Sequence, residues 1–124
     1  ALVAGDVATA LAVMKNGPAE DTETLARRAR DAMGAIARAI PLLAIHGAAD
    51  AVVSPRNLDA LAAQWRGWHA LIGEGARVET RLIDGLGHAW SGGSADGTFT
   101  NPSTPSATQM VLDFFRSLGL PGGR

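Results

Sequence analysis

Apolar residues along this chain alternate between helical and strand spacing. Leu25, Ala29, Met33, Ile36 and Ile40 recur every three to four positions and predict a helix over 22–39, capped by Asp21 or Thr22 with acidic residues in its first turn. A shorter helix is expected over 7–15, where Asp6 can cap the start and Gly17-Pro18 the end. Pro41 breaks the helical pattern. Leu42-Leu43-Ala44-Ile45-His46-Gly47 follows, an apolar run whose length suits a strand buried on both faces of a parallel sheet.

Ser54-Pro55 marks the next helix start, a capping hydroxyl followed by proline at the first helical position. Leu58, Leu61, Ala62, Trp65, Trp68 and Ile72 give that helix its apolar stripe, and Gly73 and Gly75 stop it. Over 77–83 Val78, Thr80 and Leu82 alternate with Arg77, Glu79 and Arg81, the pattern of a strand near a sheet edge. A glycine-rich loop over 84–103 is long for a compact domain, and such loops are usually functional or mobile. Thr104-Pro105 repeats the helix-start signal; Met110, Val111, Phe114, Phe115 and Leu118 form the last stripe, ended by Gly119 and Pro121.

The resulting order, helix–helix–strand–helix–strand–helix, implies an α/β fold with parallel strands and flanking helices. At 124 residues the chain amounts to a single domain, and it contains no internal repeat or linker. Composition removes several classes of function. The net charge of −1 leaves no electrostatic footprint for nucleic acid or an anionic membrane. Arg27, Arg28 and Arg30 read as a solvated helix face. The absence of cysteine excludes disulfides, Cys-ligated zinc and thiol chemistry. No apolar run reaches the length of a membrane span. The first residues lack both methionine and a basic leader, which reads as a processed or truncated start.

Candidate chemistry concentrates where the two strands end. In parallel sheets functional loops leave the carboxyl ends of the strands. Asp50 follows the first strand and His88 lies on the loop after the second, so neighbouring strands could bring the two together. A carboxylate against a histidine fixes its tautomer and stabilises the imidazolium, which lets the ring pass a proton from a hydroxyl nucleophile to a leaving group. Their order, acid then histidine, is that of α/β-hydrolases. Asp84 is a second candidate acid, disfavoured because it lies only four residues before His88 on the same loop, an awkward geometry. Trp90 either walls an acyl or alcohol pocket or packs. Trp65 and Trp68 are expected in the core, His46 in a local hydrogen bond at the strand end, and His69 on the helix surface. No H-x-x-x-H or comparable pairing supports a metal at His46, Asp50 and His88.

His46-Gly47-Ala48-Ala49-Asp50-Ala51-Val52-Val53 resembles the acid loop of α/β-hydrolases. Asp84-Gly85-Leu86-Gly87-His88-Ala89-Trp90-Ser91-Gly92-Gly93 resembles the histidine loop of the polyhydroxybutyrate depolymerase-like esterases. Asp96-Gly97-Thr98-Phe99-Thr100-Asn101-Pro102, and Ser106 to Met110 ahead of Phe114-Phe115, are similar to that family's ending. The resemblance runs from Pro41 to Leu118, with a looser match before it. It implies that the chain is the carboxy-terminal part of a single α/β-hydrolase domain, and that the domain is a serine esterase acting on small esters or hydroxyalkanoate oligomers. Asp50 and His88 would be catalytic, Trp90 would line the substrate pocket, and no cofactor or metal would be needed.

The departure from the family is the nucleophile. Such enzymes carry serine in a G-x-S-x-G elbow before the acid. Here Ser91 and Ser94 both follow His88 and neither completes the motif. The elbow and the oxyanion-hole amides are therefore expected upstream, and the chain alone is expected to be inactive. Feruloyl- or acetyl-esterase specificity fits the same residues. The alternative is a non-catalytic interaction domain retaining the hydrolase half-fold, whose unpaired sheet edge would allow self-association.

Overall fold

The computed structural model of the chain describes residues 4–35 and 38–119. The amino-terminal part is two helices, α1 (Val7–Asn16) and α2 (Thr22–Met33). Each has the expected aspartate cap: Asp6 accepts the Thr9 amide and Asp21 the Thr24 amide, both at 2.8 Å. α2 ends well short of residue 39. Gly34 closes it at a φ of 56°, its N–H returning to the Arg30 carbonyl at 3.1 Å. The apolar periodicity carries on in the sequence, but a left-handed residue cannot continue a helix. Ile36, part of that periodicity, and Pro121 lie outside the described residues. The arginines of α2 face solvent and pair with nearby acids, Arg27 with Glu23 at 2.5 Å and Arg28 with Glu20 at 3.1 Å.

The centre of the molecule is a β-α-β unit: β1 (Leu42–Gly47), α3 (Arg56–Leu71) and β2 (Val78–Ile83). β1 and β2 pair in parallel, from Leu42 against Val78 to Gly47 against Ile83. α3 begins as expected. Pro55 holds a helical φ of −54°, and the Ser54 hydroxyl accepts the Arg56 amide at 3.3 Å. α3 packs on α2 with Gly67 seated against Ala26; Leu58, Ala62 and Trp68 of α3 and Leu25, Ala26 and Ala29 of α2 are all buried. Gln64, also buried, donates to the Leu25 carbonyl at 2.8 Å and ties the two helices together.

Two side chains depart from their expected surroundings. His69 is buried rather than on the helix surface, with Nε2 3.1 Å from the Ile40 carbonyl. Trp65 Nε1 donates to the same oxygen at 2.7 Å, so the residue just before Pro41 anchors α3 from outside the helix. Leu82, placed on the apolar face by its alternation, is 53% exposed, whereas Ile83 is buried. Among the described residues β2 is an edge strand paired with β1 alone, and nothing covers that side of Leu82.

The segment after β2 is not structureless. β3 (Trp90–Ser91) and β4 (Thr100–Asn101) pair in parallel and clasp the glycine-rich loop. The last helix, α4 (Ala107–Ser117), starts two residues later than Thr104-Pro105 predicted, because Ser106 supplies the cap, its hydroxyl accepting the Gln109 amide at 3.3 Å. Phe114 of α4 is buried, and Arg77 lies over its ring at 5.6 Å while donating to Ser117 Oγ at 2.7 Å. The whole is an α/β arrangement with short parallel sheets of two strands each. No helix among the described residues is long and apolar enough to cross a membrane.

Candidate active site

Because β1 and β2 run in parallel, Gly47 and Ile83 deliver the following loops to one rim of the sheet. The loops are stitched by main chain: the Ala48 amide donates to the Ile83 carbonyl and the Ala49 amide to the Leu86 carbonyl, both at 2.9 Å. Gly47 lies at the crossing. A Cβ there would overlap the Leu86 and Gly87 carbonyl oxygens, so only glycine lets the acid loop and the histidine loop approach this closely.

That approach brings Asp50 and His88 together across 38 positions of sequence, His88 Nδ1 lying 2.9 Å from Asp50 Oδ2. The other carboxylate oxygen, Oδ1, accepts the Val52 and Val53 amides at 2.8 Å each. Burial pushes the Asp50 carboxyl up, but hydrogen bonds from Val53, His88 and Val52, with the charge of His88, outweigh it and hold the group below its ordinary value. Asp50 is therefore an acceptor at neutral pH. The proton of the contact sits on His88 Nδ1, and a neutral ring then carries its lone pair on Nε2. Among the described residues nothing hydrogen-bonds that nitrogen. The Asp50 side chain is only 5% exposed and that of His88 46%, so a sheltered acid orients a base open to solvent.

The pair opens onto a cleft of about 490 Å³. Its walls are mainly apolar, including Ile45, Val53, Leu86 and Trp90, and its titratable side chains are His46, Asp50 and His88. Trp90 is 48% exposed and its Nε1 donates to Thr108 Oγ1 at 3.2 Å, which fixes the indole at the cleft wall. Phe99, not singled out from sequence, meets the His88 ring edge-on at a centroid distance of 6.3 Å. In the sequence it stands out only as one of two aromatic residues, with Trp90, inside the glycine-rich loop, and as part of the string similar to the esterase family's ending.

Other candidates separate clearly. Asp84 is exposed and makes no bond to His88. Ser91 lines the cleft but is buried, its hydroxyl donating to the Pro105 carbonyl, and Ser94 Oγ accepts the Asp96 amide at 3.2 Å on the exposed loop. His46 makes the expected local bond, Nε2 to the Val53 carbonyl at 3.0 Å. Among the described residues no group of three or more His, Cys, Asp or Glu side chains is arranged to hold a metal ion. No known protein family matches the sequence, and neither does any curated protein.

Proposed function

We propose that this chain supplies the acid and the base of a Ser–His–Asp carboxylic-ester hydrolase of the polyhydroxybutyrate depolymerase-like type, built on the carboxy-terminal part of an α/β-hydrolase fold. The observation that carries the reading is the 2.9 Å contact between His88 Nδ1 and the carboxylate of Asp50, with His88 Nε2 left open to the cleft. The nucleophilic serine would come from outside these residues. His88 Nε2 takes the proton as the serine oxygen attacks the ester carbonyl, then gives it to the departing alkoxide. A water molecule, deprotonated by the same nitrogen, releases the acid from the acyl-enzyme. Asp50 stays ionised throughout and stabilises the imidazolium. The apolar cleft walls suit an uncharged acyl or alcohol group, a small ester or a hydroxyalkanoate oligomer. Trp90 is the substrate-binding side chain.

The test compares this chain alone with the protein encoded by its complete reading frame, using a short-chain p-nitrophenyl ester. The chain alone should give background turnover. The complete protein should carry a G-x-S-x-G serine that reacts with a fluorophosphonate, and its turnover should depend on Asp50 and His88. A complete reading frame with no such serine, or turnover indifferent to His88, would sink the reading.

A second reading, a non-catalytic interaction domain, draws on the bare sheet. Among the described residues the β1–β2 sheet has two strands, and Leu82, Leu112 and Phe115 are each more than two-fifths exposed. On this reading the chain self-associates through its free edge. Light scattering that returns a monomer with cooperative unfolding counts against it.

A further inference from the structure

The catalytic proposal uses Asp50 and His88 but leaves a second imidazole beside the same carboxylate. His46, the penultimate residue of β1, has its Nε2 3.0 Å from the Val53 carbonyl and 3.5 Å from Asp50 Oδ2. A carbonyl oxygen can only accept, so Nε2 must carry a proton. That N–H bonds the Val53 carbonyl, and Asp50 Oδ2 is a second oxygen 3.5 Å from the same nitrogen. The ring is 14% exposed, so water competes poorly for either.

Val53 is thereby held from both sides. Its amide donates to Asp50 Oδ1 at 2.8 Å, and its carbonyl accepts from His46. The Val52 amide adds a second bond to Oδ1. The orientation of the carboxylate, and so the direction in which Oδ2 presents itself to His88, depends on where Val53 sits. We infer that His46 is a positioning residue for the Asp50–His88 pair, fixing the acid loop through the Val53 carbonyl and aiding the acid by its N–H near Oδ2. The geometric claim concerns this chain alone. Only its catalytic consequence rests on the esterase reading.

Ring-nitrogen NMR on nitrogen-15 histidine-labelled chain tests it, because tautomers and exchange of ring protons report orientation rather than overall stability. In the unsubstituted chain His46 should be the Nε2–H tautomer and His88 the Nδ1–H tautomer with a slowly exchanging proton. His46→Leu should speed exchange of the His88 Nδ1 proton by about tenfold, the scale of one net hydrogen bond, and mix its tautomers. His46→Gln, whose amide can reach the Val53 carbonyl, should restore exchange to near the original rate. An Nδ1–H tautomer at His46 overturns the inference without any substitution, even if the leucine variant does not fold. So does a folded His46→Leu chain with unchanged His88 exchange, or a His46→Gln chain that restores nothing. Asp50→Asn separates the two proposals: if it leaves the His88 tautomer untouched, the acid–base pair itself is wrong, whereas a pair sensitive to Asp50 but not to His46 sinks only this inference.

Discussion

His69 and His88 show how differently one side chain can be used at two ends of the same small molecule. At the α2–α3 end His69 is 4% exposed, packs against Trp68 with ring centroids 5.1 Å apart, and bonds the Ile40 carbonyl. Its neighbour Trp65 bonds the same oxygen, so the ring is one of two ties on a neutral acceptor. At the sheet rim the His88 side chain is 46% exposed and its one hydrogen bond goes to an ionised carboxylate. The first arrangement locks a helix to the chain entering β1. The second leaves a basic nitrogen facing a cleft. What distinguishes a ring suited to proton transfer is the charge of its partner and the freedom of its second nitrogen, not histidine alone.

The largest effect should separate the two rings by activity. On the esterase proposal, Asp50→Asn should lower kcat of the protein from the complete reading frame about 10⁴-fold and His88→Ala by up to about 10⁶-fold. His69→Phe should leave kcat within a few-fold once folded fractions are matched. Steady-state kinetics with a p-nitrophenyl ester checks both, and equal losses at His69 and His88 would erase the contrast.

Next comes the crossing that builds the rim. Gly47→Ala places a methyl group on the Leu86 and Gly87 carbonyls, which cannot retreat without breaking the Ala49–Leu86 bond. It should cost about 1–3 kcal/mol in urea unfolding and weaken the contact between Asp50 and His88. His69→Phe keeps the ring packing but loses one hydrogen bond, at about 1 kcal/mol. Its mark is a stability change with no change in the His88 ring spectrum.

The smallest effect concerns pH. Asp50 is depressed below its ordinary value of 3.8 in the folded chain. The stability it contributes is therefore complete above that value and is lost as pH falls through the depressed one. Amide exchange at Val52 and Val53 should accelerate in that acid range, and Asp50→Asn should abolish the transition. Amides of α3, whose start has no carboxylate cap, should show no such step.

The contrast between the rings also marks what the sequence can disclose. Caps and breaks are local chemistry, so Asp6, Asp21 and Ser54-Pro55 announce their helices, and the order of elements follows. Asp50 and His88 are legible because parallel strands send their exit loops to one rim, whatever their separation along the chain. The burial of His69 is not, since it depends on a carbonyl contributed by Ile40, 29 positions away. Periodicity likewise overruns Gly34, where backbone conformation rather than side-chain spacing ends α2. The clasp of β3 and β4 has only two residues in each strand, too few for any alternation to register. The approach of His46 to Asp50 is half legible: a local bond is expected, but its second neighbour appears only when the loop is folded.

That clasp has a practical corollary. Trp90 donates to the Phe99 carbonyl and Gly92 to Asn101, so the stretch between leaves and re-enters through one narrow neck. The hydrogen bonds of its tip, around Ser94, Asp96 and Gly97, run within the tip or to Thr100. A foreign peptide spliced between Ala95 and Asp96 would hang clear of the neck, making this tip a grafting point where the chain could carry a passenger while His88 keeps its place.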